Sequence, residues 1–356
     1  MALLNAMTNA FSAMNGFKQG FDVVSNNISN VNSVGFKSSK MNYLPAFSTL
    51  LQRSTPSDPN KAGGSNTIAM QVGNGMEIAG TTTKFTQGAI ERTEQETDLA
   101  IYGNGFFKVV DSLNNEAYLT RAGNFRLDDR HYLATQTSGF RLQGVQYDST
   151  HMPAYKVEYD DTLNKLSFKK VEVNQPVNPG TIGDIRIQFS YTDADLVAAV
   201  ANHTGGKLYM DASVNDAIAN GNLTREEVLR EAPQLNNFVV KDDGQVHFTF
   251  NDTEGTSVIG GRVLVTNVAD PQALVHEGNG FFSGLNAAGA YAFDETASGS
   301  GNNGIGTVRS KVLEVSNVDL TQQFSDIITL QRGFQASARV ITISDEILNE
   351  VINLKH

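Results

Sequence analysis

The side chains best suited to chemistry are six histidines, several pairs of carboxylates and two glycine-rich loops. The histidines show no i,i+3 or i,i+4 pairing and no HExxH motif, so the sequence does not indicate a zinc site. A GxSxG motif, a P-loop and an SxxK motif are also absent from the sequence. Adjacent acids such as Asp128 and Asp129 are typical of solvated turns. We therefore predict no catalytic, cofactor-binding or metal-binding residues.

Residues 216–227, with the sequence DAIANGNLTREE, come closest to a metal site. Five of them fall on ligand or glycine positions of an EF-hand loop, but Ile218 stands where the third oxygen ligand belongs. A capping box, in which Thr224 and Glu227 open a helix after an Asn-Gly turn, explains the same residues. We predict the capping box, with calcium binding as the alternative.

The pentapeptide GNGFF occurs twice, at 103–107 and 278–282. Asparagine between two glycines suits a tight turn with positive φ, after which the phenylalanines enter a strand. A phosphate-binding loop would need a helix to follow instead. We predict a structural turn used once in each half of one β domain.

The composition limits the elements that could position such groups. A chain of 356 residues predicts two or three structural units, and 32 glycines predict many tight turns. A net charge of -11 disfavours nucleic acid and anionic membranes as partners, and the absence of cysteine excludes disulfides and thiolate ligands. The start, MALLNAMTNAF, lacks the basic residues and continuous apolar core of a secretory signal. No apolar run is long enough to cross a membrane, so we expect no membrane insertion.

Apolar residues recur every three or four positions at both ends of the chain, which is the pattern of a coiled-coil seam. The N-terminal stripe comprises Leu3, Met7, Ala10, Met14, Phe17, Phe21, Val24, Ile28 and Val31. The C-terminal stripe has ten positions, eight of them apolar: Leu320, Phe324, Ile327, Gln331, Phe334, Ala338, Ile341, Asp345, Leu348 and Ile352. We predict two terminal helices that pair as a coiled coil, the second capped by Asp319 or Thr321; two ordinary core helices are the alternative.

Between the helices the pattern is that of short antiparallel strands separated by turns. The predicted fold class is α+β multidomain, with terminal helices, a discontinuous antiparallel β core domain and an inserted outer domain of mixed α and β character. Linkers are predicted at 53–67 and 295–306. The predicted regions are a helical core of 1–40 with 309–356, a linker or extension at 41–75, a β-rich middle domain of 76–147 with 239–308, and the insertion at 148–238.

Several motifs, in order, resemble the bacterial flagellar axial proteins, the family of rod, hook and hook-associated proteins. The N-terminal stripe runs into NNISNVNSVGFKSSK, and the far end reads IITLQRGFQASARVITISDEILNEVINLK. The middle segments FTQGAIERTEQETDLAIYGNGFFKV, AYLTRAGNFRLDD and GFRLQG are similar to the β core of that family. The resemblance covers residues 1–147 and 239–356.

The resemblance implies a non-catalytic subunit that polymerises with itself into a hollow curved tube and transmits torque from rod to filament. The ending SDEILNEVINLK and the segment GFRLQG look most like the hook subunit, and the insertion also fits it. The Pro/Gly-rich segment 53–67 and the helical pieces of the insertion keep a distal rod subunit as the alternative. A ligand-binding or enzymatic module is the alternative of a different class.

The implied partners are other copies of the chain, the distal rod, hook cap and hook–filament junction proteins, and the flagellar export apparatus. The implied location is the flagellum outside the cell, reached through type III export without a cleaved signal peptide.

The resemblance also gives a role to the amides that follow the first stripe. They are Asn26, Asn27, Asn30 and Asn32, followed by Gly35 and Phe36. We predict that they end the helix and hydrogen-bond the backbone of their own chain and of adjacent subunits. Gly35 would permit the turn and Phe36 would anchor it. A polar C-cap with no intermolecular role is the alternative.

Overall fold

The computed structural model describes residues 2–54, 66, 68–147, 153–161, 165–171, 181–187, 191, 195–198, 207–241, 243–252, 255–289 and 305–354. Most of the two predicted linkers lies outside these ranges. The helices are α1 (Ala2–Ser29), α2 (Ala212–Ala219), α3 (Arg225–Glu231) and α4 (Leu320–Asn353), and Pro271–Ala273 forms a short 3-10 helix.

The strands follow in chain order. They are β1 (Ser39–Pro45), β2 (Thr49–Gln52), β3 (Met70–Val72), β4 (Met76–Thr83), β5 (Ile90–Arg92), β6 (Leu99–Tyr102), β7 (Phe106–Val110), β8 (Ala117–Thr120), β9 (Phe125–Leu127), β10 (Leu133–Thr135), β11 (Arg141–Gln146), β12 (Ala154–Asp160), β13 (Lys165–Val171), β14 (Thr181–Asp184), β15 (Leu196–Ala198), β16 (Leu208–Met210), β17 (Leu235–Val240), β18 (Gln245–Phe250), β19 (Ser257–Val263), β20 (Val265–Thr266), β21 (Val275–Gly278), β22 (Phe281–Ser283), β23 (Thr307–Ser310) and β24 (Val312–Glu314).

The chain forms two compact units. The helical unit consists of Met1–Thr86 with Ser316–His356, and the β unit consists of Gln87–Val315. The predicted mixture of terminal helix and mostly β core is confirmed.

The helical unit contains α1, α4 and a β arm that leaves the end of α1. The arm is an antiparallel pair of β1 and β4, whose register runs from Ser39 opposite Thr83 to Pro45 opposite Met76. Strands β2 and β3 pair in the same antiparallel sense between them. The sequence predicts a linker or extension at 41–75 and assigns 76–83 to the middle domain. The structure instead joins the two segments in one hairpin, because each supplies the backbone hydrogen bonds that the other needs.

The start of α4 is capped as its sequence predicts. The carboxylate of Asp319 accepts hydrogen bonds from the backbone N–H groups of Thr321 (2.9 Å) and Gln322 (3.3 Å). These two donors have no partner within the helix, so the cap satisfies them. The prediction that named Asp319 as one of two candidate caps is confirmed.

The β unit is built on one large antiparallel sheet. Its main path runs β17-β18-β19-β11-β7-β8-β22-β21, with β9, β10, β14 and β20 attached at its sides. Strands that precede residue 147 pair with strands that follow residue 239: β11 with β19, β7 with β20 and β8 with β22. The two β-rich stretches are therefore parts of one sheet. Strand β14 also joins this sheet through β11, although it lies within the predicted insertion.

The two GNGFF segments form turns that enter strands, as predicted. The glycines of the first copy have φ of 115° and 129°, and the second copy has positive φ at Gly278, Asn279 and Gly280. The phenylalanines then begin β7 and β22. Phe106 and Phe282 meet edge to face, with ring centroids 6.0 Å apart, so each turn delivers an aromatic ring to the same sheet.

Residues 153–232 also include a smaller sheet with its own hydrophobic core. The strand order is β13-β12-β16-β15, in which β16 pairs in parallel with both β12 and β15. Its buried core includes Tyr155, Leu208 and Val214, and Val228 brings α3 onto it. The predicted capping box is confirmed: the Thr224 hydroxyl accepts from the Glu227 N–H, and the Glu227 carboxylate accepts from the Thr224 N–H (2.8 Å).

A buried ion pair joins the end of the β unit to its middle. Arg121 and Glu314 are 3.3 Å apart, and both side chains are almost completely buried. Burial lowers the pKa of Arg121, and the carboxylate of Glu314 opposes that shift. The pair is further satisfied because Arg121 donates to the carbonyl of Gly103 (2.8 Å) and Glu314 accepts from the N–H of Gly88 (2.8 Å). It thereby fixes the first GNGFF turn relative to β24.

Candidate assembly surface

Helices α1 and α4 pack against each other at glycines. A Cβ on Gly20 would lie 3.0 Å from Leu330, and a Cβ on Gly333 would lie 2.7 Å from the ring of Phe17. Because Gly20 faces Leu330 while Phe17 faces Gly333, the helices run antiparallel. Each large side chain occupies the space that a glycine leaves on the opposite helix, so the two axes approach closely.

Asn27 connects three segments of the helical unit. Its Nδ2 donates to the carbonyl of Ser39 (2.7 Å) and to Oε1 of Gln323 (2.9 Å), and its Oδ1 accepts from the Ser39 N–H (2.9 Å). The side chain is 1% exposed. Its amide is therefore used inside the chain, where it ties α1 to the start of β1 and to α4. The amide was predicted to bind the backbone of its own chain, and this contact supplies such bonds.

The other amides at the end of α1 are more exposed. Nδ2 of Asn30 donates to the backbone carbonyl of Asn26 (2.9 Å) and to its side-chain oxygen (3.0 Å). Asn26 and Asn32 are exposed. Gly35 has a φ of 67°, a left-handed conformation that favours glycine at this turn. An intermolecular role for the exposed amides stays a prediction.

The predicted N-terminal stripe lies mostly at half-buried positions. Ala10 and Val24 are buried, and the half-buried members are Met7, Met14, Phe17, Phe21, Ile28 and Val31. The side chain of Leu3 is outside the described residues. Phe36, which follows the turn, is half-buried, and its carbonyl accepts from the N–H of Asn317 (3.4 Å).

The predicted C-terminal stripe is displaced from the face of α4 that contacts α1. That face carries Gln323, Leu330 and Gly333, whereas Phe324 is 53% exposed. Of the predicted members, Ile327, Ala338 and Ile341 are half-buried. The exposed members are Leu320, Phe324, Phe334, Leu348 and Ile352. Helix α4 thus has an apolar surface left over after it packs on α1.

Residues that the sequence did not single out complete this region. The Asn317 side chain accepts from the Ser38 N–H (2.8 Å) and donates to the carbonyls of Lys84 (2.7 Å) and Thr86 (3.0 Å). The ammonium group of the buried Lys37 donates to the same Thr86 carbonyl (2.8 Å). The glycines in the two helices could have indicated their close contact. Nothing in the sequence around Asn317 or Lys37 indicates the hydrogen bonds that these residues form.

Within the described ranges, no cluster of three or more histidine or acidic side chains is arranged to hold a metal ion. Among the helices described, none is long and apolar enough to cross a membrane.

Three family models match separate parts of the chain. Residues 7–37 match the flagella basal body rod protein model, and residues 100–187 match the flagellar hook protein FlgE/F/G D1 domain. Residues 309–354 match the C-terminal region of the flagellar basal body rod FlgEFG proteins. The first and last matches cover most of α1 and all of α4, and the middle one covers much of the large sheet.

Relatives match over the whole chain. The flagellar basal-body rod protein FlgG of Bacillus subtilis is 30% identical over 354 residues, covering 99% of this chain and 100% of that protein. The flagellar hook protein FlgE of Borreliella burgdorferi is 27% identical over 454 residues, with 99% and 100% covered. The hook protein FlgE of Escherichia coli is 26% identical over 429 residues, with 98% and 100% covered. Among solved structures, Helicobacter pylori hook protein FlgE2 aligns with 63% of this chain and 100% of its own, at 9% identity and a TM-score of 0.35.

These matches define a structural protein of the bacterial flagellum rather than an enzyme. The chain belongs to the family of flagellar basal-body rod and hook proteins, because it is related over its whole length to a rod protein at 30% identity.

Proposed function

We propose that this chain is a structural subunit of the bacterial flagellar hook, which polymerises into a hollow curved tube and transmits torque from rod to filament. The observation that carries the proposal is the surplus apolar surface of α4. A stable monomer gains nothing from exposing Phe324 and Leu348, whereas a polymer buries such side chains against neighbouring copies. Full-length relatives named as hook proteins support the same assignment.

The arrangement suggests a division of roles between the units. The terminal helices, paired as a short coiled coil, would form the inner wall of the tube, where closely packed glycines allow little sliding. The smaller sheet with α2 and α3 has its own core and would be the inserted outer domain. Contacts between neighbouring β units would then change as the tube bends.

A distal rod subunit is the second candidate, and one observation favours it. The alignment with the rod protein spans 354 residues, close to the 356 of this chain, whereas those with hook proteins span 454 and 429. Those hook proteins therefore contain segments that this chain lacks. The proposed partners, besides further copies of the chain, are other flagellar axial proteins and the flagellar export apparatus.

Electron microscopy of the purified full chain, concentrated until it assembles, tests both candidates. Hollow tubes that curve and change curvature with salt or temperature are expected of a hook subunit. Rigid straight tubes would favour the rod subunit. Monomers at all concentrations, without tubes, would overturn the proposal that the chain polymerises with itself.

A further inference from the structure

A groove opens within the helical unit between α1, α4 and β1. It has a volume of about 400 Å³. Its apolar lining includes Gly20, Val23, Val24, Met41 and Leu330. No described side chain of this unit fills it, so an apolar side chain of another molecule would bury surface there.

The strand side of the groove is basic. Lys40 and Lys84 line it, and both are exposed. In the described part of the chain neither ammonium group forms an ion pair. On the opposite side the carboxylate of Asp326 already accepts a hydrogen bond from the Gln322 amide (2.8 Å). An occupant that presents acids toward β1 and apolar side chains toward the floor would therefore fit the groove.

The last turns of α4 carry such a surface. An apolar stripe runs through Val340, Ile343, Ile347, Val351 and Leu354, at the three- and four-residue spacing of one helix face. Ile343 is 54% exposed, Val351 is 58% exposed and Leu354 is 86% exposed. We call this set the α4-end stripe, because it differs from the C-terminal stripe predicted from the sequence. Glu346 and Glu350 are one turn apart and flank the same side of the α4-end stripe.

We propose that the α4-end stripe of one copy docks in the groove of the next, with Glu346 and Glu350 beside Lys40 and Lys84. This inference rests on the proposed function and names the surfaces that would join successive subunits.

The contact cannot form within one chain. Ile347 lies 17 residues beyond Leu330 on the same straight helix, which places it about 26 Å along the axis at about 1.5 Å per residue. The groove and the α4-end stripe are therefore at different positions along the axis of one antiparallel helix pair. In the proposed contact each copy places its stripe in the groove of one neighbour and receives the stripe of another, so the contact is head-to-tail and leaves a free groove and a free stripe on every dimer. Repetition of such a contact builds an open helical polymer, whereas a two-fold contact would stop at the dimer.

Disulfide trapping tests the contact directly, because the chain has no cysteine of its own. A double variant, Met41→Cys with Ile347→Cys, is oxidised in solution and run on a non-reducing gel. A disulfide needs Cα atoms within about 7 Å, so only the proposed contact between copies joins these two positions. We expect a ladder of linked oligomers, whereas each single variant gives at most dimers. Lys170→Cys with Ile347→Cys is the matched control and should give no ladder.

Charge exchange tests the recognition. Lys40→Glu with Lys84→Glu should raise the critical concentration for assembly at least tenfold, and so should Glu346→Lys with Glu350→Lys. The fourfold variant, which restores opposite charges, should recover most of the loss. Lys165→Glu with Lys170→Glu makes the same charge change on the smaller sheet and should have little effect. Circular dichroism of each variant checks that the helices remain folded.

The outcomes separate the two proposals. Wild-type tubes without a ladder in the double-cysteine variant, or charge exchange without recovery, would overturn the groove contact and leave the proposed function standing. A ladder in the double-cysteine variant, together with no tubes from the wild-type chain, would support the contact and contradict the proposed tube. A loss confined to the groove variants would show that another segment occupies the groove.

Discussion

The β unit and the helical unit differ in how much of its apolar surface each one buries within the chain. The large sheet encloses a continuous core in which Phe107, Leu142 and Val263 are completely buried. In α4, by contrast, the one buried residue is Ser344, while large apolar residues along the helix are exposed. A domain folds alone when its apolar surface is covered by its own chain. The comparison indicates that the β unit is complete as a monomer, whereas the helical unit is completed by neighbours.

The strongest way to test this difference is to delete residues 320–356, which removes α4. We expect the β unit to retain its cooperative unfolding transition, because its core contains no residue of α4. We also expect assembly to be lost altogether. Circular dichroism during heating measures the unfolding transition, and electron microscopy shows whether tubes form. Tubes formed by the truncated chain would contradict the prediction that assembly requires α4.

A matched pair of phenylalanines sharpens the comparison. Phe107→Ala in the sheet should lower the free energy of unfolding of the β unit by about 3–5 kcal/mol, because it leaves a cavity. Phe324→Ala on the exposed face of α4 should change monomer stability by less than about 1 kcal/mol yet raise the critical concentration. Urea unfolding of the monomer and sedimentation of polymer separate the two. Equal losses of stability would show that Phe324 belongs to an internal core.

The buried ion pair is the next test of the self-sufficient unit. Arg121→Met leaves Glu314 charged and without its partner, which should cost about 3–5 kcal/mol of the free energy of unfolding. Arg121→Met with Glu314→Leu removes both charges and should recover much of that loss. Lys169→Met breaks the exposed pair with Glu158 and should have no measurable effect. A double variant as unstable as the single one would show that the pair contributes specific attraction.

Two neighbouring asparagines give a smaller contrast within α1. Asn27→Leu removes the bonds to Ser39 and Gln323 and should cost about 2 kcal/mol of helical-unit stability. Asn26→Leu should change monomer stability little, because it removes only the exposed hydrogen bond from Asn30. Hydrogen exchange of the Ser39 amide, which Asn27 protects, reports the first effect. If Asn26 binds a neighbouring subunit, Asn26→Leu should raise the critical concentration for assembly with little effect on monomer stability. An unchanged critical concentration would exclude that role.

The smallest expected effect concerns Asp252, which the hydroxyl of Tyr155 (2.9 Å) and the N–H of Thr256 (2.7 Å) contact. Burial alone would raise the pKa of Asp252, but hydrogen bonds from the hydroxyl and the N–H of Thr256 and from the Tyr155 hydroxyl outweigh it and lower the pKa below its ordinary value. The ionised form is thus favoured in the folded state. Its stabilising contribution is full above the unfolded carboxyl pKa of about 4 and is lost as pH falls through the lower folded value.

We therefore expect wild type and Asp252→Asn to differ in urea stability at neutral pH and to converge in acid. The exposed Asp129→Asn serves as control and should show no such convergence. A difference that stays constant with pH would mean that the ionisation of Asp252 does not contribute to stability.

Local features of this molecule were readable in the sequence because their causes are local. The caps at Asp319 and Thr224 involve partners within three residues, and the GNGFF turns depend on the φ that glycine permits. The α+β class followed from periodicities of the same kind. What the sequence did not specify was pairing across long separations. The bond between Asn27 and Gln323 spans 296 residues, and no pattern in either segment names the other.

The same limit explains the displaced stripe of α4. Periodicity counts apolar residues but does not distinguish a face that meets α1 from a face that meets another molecule. Gln323 and Gly333 are not apolar anchors, yet they lie in the helix contact, while Phe324 lies outside it. The sequence likewise did not indicate that β16 pairs in parallel with β12 and β15, because β15 and β16 are too short to show a distinct pattern.

The order in which the β unit is closed sets when it can fold. Its first strands have their partners at its end: β5 pairs with β24 and β6 pairs with β23. Arg121 likewise meets its counter-ion only at Glu314. A ribosome that has made two-thirds of the chain therefore holds a β unit that cannot close, since contacts so distant in sequence form late. We expect chains stalled before residue 307 to be cut rapidly by protease and chains released after residue 315 to resist, so that the topology itself delays folding until synthesis is nearly complete.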